Sequence, residues 1–295
     1  MDVKTPKTYE EQVDLIKNKG FLIEDEDREA CITFLKQANY YRLSAYFLPF
    51  LKEDGTSYHK VNFERIKKIY DFDSHIRIFL LQLIEQIEFY IRTQIAYYLG
   101  HKYGALGYLD EKTFSERHNH QKFLENIGHC IKENIHTPVV KHHNEKYSGK
   151  FPIWVMIEFF SMGNLSYLYS DLNSKDQKEI AQESFSTTVA CLKSWMRCIT
   201  DLRNRCAHYS RIYYWTFPAV PRMPKNSPYA NRIDRKLFAQ MLVLKYMFPD
   251  KKEWERLVIQ DIAPLIISYL PDISLEHIGF PDGWEDLLKA ELLKT

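Results

Sequence analysis

The sequence is poor in the residues that build disulfide-rich, zinc-binding and tightly turned folds. It has five cysteines in 295 residues, an odd number with no C-x-x-C pair, which argues against a disulfide framework and against a thiolate zinc site. Glycine is also scarce, at 10 residues, whereas all-β folds usually need more of it for their tight turns. These shortages favour a helical protein with reduced thiols, so we expect a cytoplasmic location and no cofactor.

Long uncharged apolar runs are absent as well. The most apolar stretch, residues 76–95, is interrupted by four charged side chains, and a membrane span needs about 20 mostly apolar residues. The first dozen residues are polar, so we expect no signal peptide. Basic and acidic side chains nearly balance, 40 against 39, which excludes a uniformly basic, histone-like protein but allows a local basic patch. We therefore expect no membrane partner.

What the sequence does contain is hydrophobic side chains at helical spacing. Apolar residues make up 45% of the chain, and in two long stretches they recur at steps of three and four, which marks one face of a helix. We predict one helix within residues 62–103, capped by Asp73 or Ser74, and another that starts near Ser186 and reaches Cys206. The fold class that follows is all-α, a helical bundle.

Loop-forming residues divide the predicted bundle into parts. The sequence EDGTS at 53–57 is the first clear loop, and the four prolines within residues 218–228 make a segment that cannot be helical. We predict an N-terminal helical lobe over residues 1–58, a main helical domain over 59–272 and a C-terminal tail helix over 273–295.

The sequence DLRNRCAHYSRIYYWTF, residues 201–217, holds the side chains with the clearest chemical potential. On a helix with about 100° per residue, Asn204 and His208 share one face, opposite the predicted buried stripe. Arg203 lies at the border of that stripe, about 140° from His208, so the two flank a common edge. A lone histidine is more often structural, and one near a helix C-terminus is favoured by the helix dipole. An imidazole on a polar face, however, is free to do chemistry.

These residues open a basic and aromatic segment. Residues 203–236 carry eight basic side chains and one acid, a net charge of +7, while the rest of the chain carries −6. Basic side chains follow a phosphate backbone, and aromatic rings stack on unpaired bases. The alternative is that the rings simply pack under the proline-rich loop. On the first interpretation, the candidate RNA-binding residues are Arg205, Tyr209, Arg211, Tyr213, Tyr214, Arg222 and Lys225.

Longer stretches of the sequence resemble a known family. The segment RNRCAH matches the R-x(4–6)-H motif of the HEPN superfamily, with Asn204 as the polar residue that often follows the arginine. From about residue 8 to residue 270 the chain is similar to the Abi family of phage abortive-infection proteins, the AbiD/AbiF type, and more distantly to the HEPN domains of RNA-guided CRISPR ribonucleases. Four blocks carry the resemblance, residues 20–50, 69–100, 151–172 and 202–217, which begin GFLIEDED, IYDFDSHI, FPIWVMIE and LRNRCAHY.

The resemblance implies a HEPN-type helical domain that cleaves RNA without a metal. In that reaction the ribose 2′-OH attacks its own adjacent phosphate, which leaves a 2′,3′-cyclic phosphate and a 5′-OH. The implied catalytic residues are Arg203, Asn204 and His208. The imidazole would act as general base or acid, the guanidinium would bind the phosphate oxygens as charge develops, and the amide would hold the histidine ring or the ribose.

Two further expectations concern how the site is completed. HEPN ribonucleases usually build their site from two motif copies and this chain has one, so we expect a homodimer with the two 203–208 segments adjacent. Glu85, Glu88 and Arg92 match the family's recurrent E-x-x-E-x-x-x-R pattern, which implies that they support the site by orienting Arg203. The alternative is an ordinary solvated face with one ion pair, worth about 0.3–0.5 kcal/mol.

Rival functions use the same residues. The chain would present the same basic segment if it bound RNA, such as a small structured partner RNA, without cutting it. It could also be an interaction component of a toxin–antitoxin-like pair. Six histidines within residues 111–150 suggest a metal site, but no carboxylate or thiolate spacing supports a defined geometry, so we expect no metal.

Overall fold

Helices form most of the structure, a computed structural model that describes residues 5–225, 227, 229–230 and 233–289. The one sheet in this described part pairs two short parallel strands, β1 (Phe21–Leu22) and β2 (Val61–Asn62). The all-α prediction is confirmed. The α-helices are α1 (Tyr9–Asn18), α2 (Arg28–Gln37), α3 (Tyr40–Ser44), α4 (Phe63–Tyr103), α5 (His120–Glu133), α6 (Pro138–Tyr147), α7 (Ile153–Met156), α8 (Met162–Asp171), α9 (Ser174–Phe185), α10 (Val189–Ala207), α11 (Leu237–Met247), α12 (Lys251–Leu257), α13 (Ala263–Tyr269), α14 (Leu275–Ile278) and α15 (Trp284–Lys289).

Shorter helical turns connect several of these elements. The tail of α3 continues as a 3-10 helix over Ala45–Phe50, and a π-helical turn over Val258–Ile262 joins α12 to α13. The remaining 3-10 turns are Asp25–Asp27, Gly107–Leu109, Glu111–Thr113 and Ile157–Phe159. The helical stretches over residues 40–50 and 251–269 are therefore each divided into segments of different helical pitch.

Helix α4 is 41 residues long and runs through the centre of the molecule. It begins earlier than predicted, because Asn62 is its N-cap and its side chain accepts a hydrogen bond from the Glu64 N–H at 2.8 Å. Asp73 is therefore not a cap but lies fully buried inside the helix. The prediction failed because the buried apolar pattern extends upstream to Phe63, whereas an acid before an apolar run resembles a helix start.

Helix α10 carries the 203–208 segment and packs against α4, α8 and α11. The Thr188 hydroxyl caps its first turn by accepting a hydrogen bond from the Cys191 N–H at 3.2 Å, close to the predicted start. The predicted buried face is confirmed, since its six main members are each at most 1% exposed: Leu192, Trp195, Met196, Ile199, Leu202 and Cys206. This stripe fixes the rotation of the helix and hence the direction in which its polar side chains point.

Buried side chains from Val13 to Leu288 join one hydrophobic cluster, so parts of all three predicted regions contribute to a common core. The division at residues 58/59 and 272/273 stays a prediction. No helix within the described ranges is both long and apolar enough to cross a bilayer.

The C-terminal helices are fixed to this core by two lysines, the buried Lys245 and the exposed Lys251. The Lys251 ammonium donates to the carbonyls of Lys245, Tyr246 and Phe248 at 2.6–3.0 Å and so caps the end of α11. Lys245 donates to the Leu287 carbonyl of α15 at 2.7 Å. Burial lowers the pKa of both ammonium groups to about 8.

Candidate functional site

The three predicted catalytic residues lie at the exposed C-terminal end of α10. Asn204 and His208 are exposed, and the Arg203 side chain is 40% exposed. His208 is the C-cap of the helix, and its N–H donates to the Asn204 carbonyl at 2.9 Å. The predicted polar face thus points to solvent, as the buried stripe on the opposite side requires.

Neither the His208 imidazole nor the Asn204 side-chain amide has a hydrogen-bond partner anywhere in the part of the chain that the structure describes. Of the two structural alternatives for a lone histidine, a partly buried ring satisfied by the protein does not match the exposed His208 side chain. A histidine at a helix C-terminus, favoured by the helix dipole, does match its position as the C-cap. Two adjacent polar side chains without protein partners are available to bind a ligand or to transfer a proton.

The chain reverses directly after His208 through a strained residue. Tyr209 adopts the left-handed conformation with φ 56°, in a position that is usually glycine. Its N–H donates to the Cys206 carbonyl at 3.1 Å, and the Ser210 N–H donates to the Arg205 carbonyl at 2.9 Å, which is the Schellman pattern of helix termination. A bulky residue held at positive φ stores strain, and such strain concentrates at functional sites.

Arg203 approaches a buried ion pair on α4. Its Nε lies 4.0 Å from Glu88 Oε2, and the other oxygen of Glu88 accepts from Arg92 Nη2 at 2.6 Å. Arg92 in turn donates to the Ile157 and Phe160 carbonyls at 3.3 and 2.7 Å. Because the Glu88 and Arg92 side chains are only 13% and 9% exposed, the carboxylate is held in place and can orient Arg203.

Glu85 takes no part in this arrangement. It is exposed, and it has no ion-pair or hydrogen-bond partner among the described residues. Only two of the three predicted supporting residues, Glu88 and Arg92, are therefore brought together with Arg203.

A buried carboxylate holds the loop that follows the helix. Asp73 Oδ1 accepts hydrogen bonds from the N–H groups of Ile212 and Tyr213 at 2.8 and 2.6 Å, and Oδ2 accepts from the Tyr46 hydroxyl at 2.7 Å and from Arg77. Burial and the neighbouring carboxylate raise the pKa of the Tyr46 phenol well above its usual range. We call Tyr46, Asp73 and Arg77 the anchor cluster.

Several of the predicted RNA-binding side chains are occupied inside the protein. Tyr213 is 1% exposed, and its hydroxyl bonds to His277 and to the Ser274 N–H at 2.7 and 2.9 Å. This burial leaves no ring face for a nucleotide base, so Tyr213 is removed from the predicted RNA-binding set. The alternative interpretation, in which rings pack beneath the loop, describes Tyr213 correctly.

Arg205 and Arg211 also make contacts within the protein. The Arg205 guanidinium lies 3.7 Å from the centre of the Trp215 ring and donates to the Arg211 carbonyl at 3.2 Å. Arg211 donates to the Ala45 carbonyl at 2.6 Å. Burial lowers the pKa of both guanidinium groups. The exposed positions of the predicted set are Tyr209, Tyr214, Arg222 and Lys225.

The histidine-rich region forms no metal centre within the described ranges, where no three potential ligands converge. His118 instead stacks on Phe114 and bonds to Asp171 at 3.0 Å, and His143 stacks on Phe151.

All five cysteines are buried free thiols. Burial raises the pKa of Cys198 and Cys206 to about 12. These thiols therefore stay protonated and do not act as nucleophiles at neutral pH.

Two site residues had no visible signal in the sequence. Arg42, from α3, donates a hydrogen bond to the Tyr209 carbonyl across a separation of 167 residues. Asp73 reaches Ile212 across 139 residues. Both contacts join the N-terminal half of the chain to the loop after His208, and neither follows from local spacing.

Comparison with known proteins gives one match. A family model described as "Abi-like protein" matches residues 33–214, which include Arg42, the anchor cluster, Glu88 and the 203–208 segment. No curated protein and no solved structure matches the chain.

Proposed function

The chain belongs to the Abi-like protein family, and from this membership we propose that it is a phage-defence protein of the AbiD/AbiF type whose HEPN-type site cleaves RNA without a metal. The family supports a role in abortive infection by phage. The proposal for the chemistry rests on one observation: His208 and Asn204 are exposed at the end of α10 beside Arg203, which a buried Glu88–Arg92 pair orients.

The proposed reaction requires two proton transfers and the stabilisation of negative charge on the phosphate. The ribose 2′-oxygen attacks the adjacent phosphorus as it loses its proton, and the bond from phosphorus to the 5′-oxygen breaks as that oxygen gains one. An imidazole performs either proton transfer near neutral pH. The Arg203 guanidinium offers paired N–H donors to the non-bridging oxygens as negative charge builds on them. To the Asn204 amide we assign the role of holding the ribose or the ring of His208 when substrate is bound.

RNA binding is assigned to the exposed members of the basic segment. Arg222 and Lys225 are exposed cations that contribute to the +7 segment, and Tyr209, 68% exposed, presents a ring directly after His208. Proteins that bind single-stranded RNA usually combine basic side chains along the phosphates with an exposed aromatic ring that stacks on a base.

A homodimer would supply the second catalytic group. The 2′-OH and the 5′-oxygen need a base and an acid on opposite sides of the phosphorus, whereas each chain contributes one imidazole at this position. Two copies related by a two-fold axis would place His208 of each chain on either side of one phosphate. In mixtures of wild-type and His208→Ala chains we expect activity to fall with the square of the wild-type fraction. A linear fall would contradict the shared site.

The experiment that tests the activity compares wild-type protein with His208→Ala in the presence of EDTA, with total RNA as substrate and sequencing of the new ends. We expect cyclic-phosphate ends from the wild type, and a loss of about 10²–10⁴-fold in His208→Ala. His136→Ala, an exposed histidine outside the site, is the matched control.

Two results would favour the rival functions. RNA that is bound tightly but never shortened by the wild type would indicate a non-cleaving RNA-binding protein. A wild type that binds a protein partner but no RNA at all would indicate an interaction component of a toxin–antitoxin-like pair.

A further inference from the structure

A cavity of about 560 Å³ opens beside the Glu88–Arg92 pair. Its walls come from α4 and from the segment around α7, and they include Arg92, Tyr97, Gly100, His101, Trp154 and Glu158. The volume lies within the range of small-ligand pockets, roughly 300–1,000 Å³. None of the predicted site residues except Arg92 lies in it, so it is a separate feature of the surface.

Three aromatic rings at this cavity are poorly covered by the protein. Trp154 is 54% exposed and Tyr97 is 65% exposed, and the Tyr97 and His101 rings lie 4.0 Å apart. Gly100 lies against the indole, and a Cβ built there would meet the Trp154 ring at 3.5 Å, an ordinary packing distance. Exposed ring faces around a cavity are the groups on which unpaired bases stack.

The cavity is connected to the catalytic end of α10 through two side chains. Arg92 forms part of its wall and binds Glu88 at 2.6 Å, and Glu88 in turn lies 4.0 Å from Arg203. Arg92 therefore belongs both to the wall of the cavity and to the ion pair that lies beside Arg203.

The polar groups of the cavity specify which base fits. Glu158 is exposed and has no ion-pair partner among the described residues, so its carboxylate is free to accept hydrogen bonds. Arg92 Nη1 has no hydrogen-bond partner in the same described part and is free to donate. Guanine alone offers adjacent N1–H and N2–H donors to a carboxylate together with O6 and N7 acceptors for an arginine.

We propose that this cavity binds a guanine base next to the scissile phosphate, with the base stacked on Trp154 and read by Glu158 and Arg92. This proposal rests on the proposed function, because it assigns the substrate preference of the same site. Glu158 and Trp154 are then specificity-determining residues, whereas the proton transfers stay with His208.

A binding assay tests the proposal without any cleavage. The probes are four fluorescein-labelled trinucleotides, UGU, UAU, UCU and UUU, with 2′-O-methyl groups that block attack on the phosphate. We expect the wild type to bind UGU at least about ten-fold more tightly than the other three. Trp154→Ala should weaken UGU binding about ten-fold, as expected for one lost stacking contact. Glu158→Gln should remove the preference for UGU and leave binding of the other probes unchanged.

A control variant and three outcomes distinguish the guanine proposal from RNA cleavage and from contact between chains. Glu183→Gln changes an exposed acid of α9 and should keep the preference for UGU. If the wild type binds all four probes equally, the guanine proposal is wrong even if the protein cleaves RNA. If the wild type prefers UGU but cleaves no RNA, the ribonuclease proposal is wrong and the guanine proposal stands. If Trp154→Ala converts a dimer into a monomer in sedimentation analysis and weakens all probes equally, this face is a contact between chains and the proposal is wrong.

Cleavage products give a second, independent readout. Wild-type cut sites should carry guanine at one fixed side of the broken bond, and Glu158→Gln should cut with the same ends but without that preference. Cut sites with no base preference in the wild type would contradict the guanine assignment and leave the ribonuclease proposal in place.

Discussion

Two polar regions on either side of Tyr209 are built in opposite ways. In the anchor cluster, both oxygens of the fully buried Asp73 carboxylate accept hydrogen bonds, two from main-chain N–H groups and two from side chains. At the end of α10, His208 and Asn204 are exposed, and their side chains have no partner in the described part of the chain. The first region holds the loop in place, and the second has polar side chains that are accessible from solvent.

This difference separates polar groups that stabilise the fold from those that are available for function. A buried carboxylate is costly unless it is fully hydrogen-bonded, so the satisfied Asp73 is a structural requirement. An exposed imidazole costs nothing and needs no partner until a substrate arrives. Substitutions in the two regions should therefore change different quantities, stability in one and activity in the other.

The largest expected effect is on the anchor cluster. Asp73→Ala leaves a buried guanidinium and two main-chain N–H groups without an acceptor, and we expect the free energy of unfolding to fall by about 3–5 kcal/mol. Urea denaturation measures this loss. Asp71→Ala, a half-buried acid two residues earlier, should change stability by less than about 0.5 kcal/mol. Equal stability of the two variants would contradict the structural role of Asp73.

A smaller effect is expected at Glu88, which lies beside Arg203 in the second region. Glu88→Gln removes the charge that orients Arg203, so we expect the cleavage rate constant to fall about ten-fold while the affinity for RNA is unchanged. The exposed Glu85→Gln is the control and should cleave like the wild type. Single-turnover kinetics with a separate binding titration distinguishes the two quantities. A loss of affinity with an unchanged rate constant would show that Glu88 contributes to binding instead of positioning.

The smallest effect concerns the strained residue between the regions. Tyr209→Gly relieves the positive φ, and we expect the protein to become more stable by about 1 kcal/mol while RNA binding weakens several-fold through loss of the exposed ring. Ser148→Gly, at another left-handed helix end with φ 53°, should raise stability without changing RNA binding. If Tyr209→Gly binds RNA like the wild type, the ring has no role in binding.

The sequence was sufficient for features that depend on local spacing. The periodic pattern located α10, its buried face and the exposed side of Asn204 and His208, because helix geometry alone fixes which residues share a face. The E-x-x-E-x-x-x-R pattern also brought Glu88 and Arg92 together correctly, since i and i+4 side chains are neighbours on a helix.

Features that depend on distant contacts were missed or misplaced. Asp73 has the local pattern of a helix cap, whereas its buried carboxylate is satisfied mostly by distant groups, among them the Ile212 N–H 139 residues away. Tyr213 lies in a basic, aromatic segment, yet the packing of His277 and Ser274 from the C-terminal part of the chain covers it. No periodicity encodes such pairings, because they are set by how the helices pack.

The continuity of α4 limits how this protein can be controlled. The helix runs without interruption through Asp73, Glu88, Arg92 and Tyr97 over 41 residues, a rod of about 60 Å at 1.5 Å per residue. The spacing along this helix between the loop attachment, the charge pair and the cavity is therefore fixed. Under the proposed function, control would act at the open end of α10, through a ligand that covers it or through the pairing of two chains.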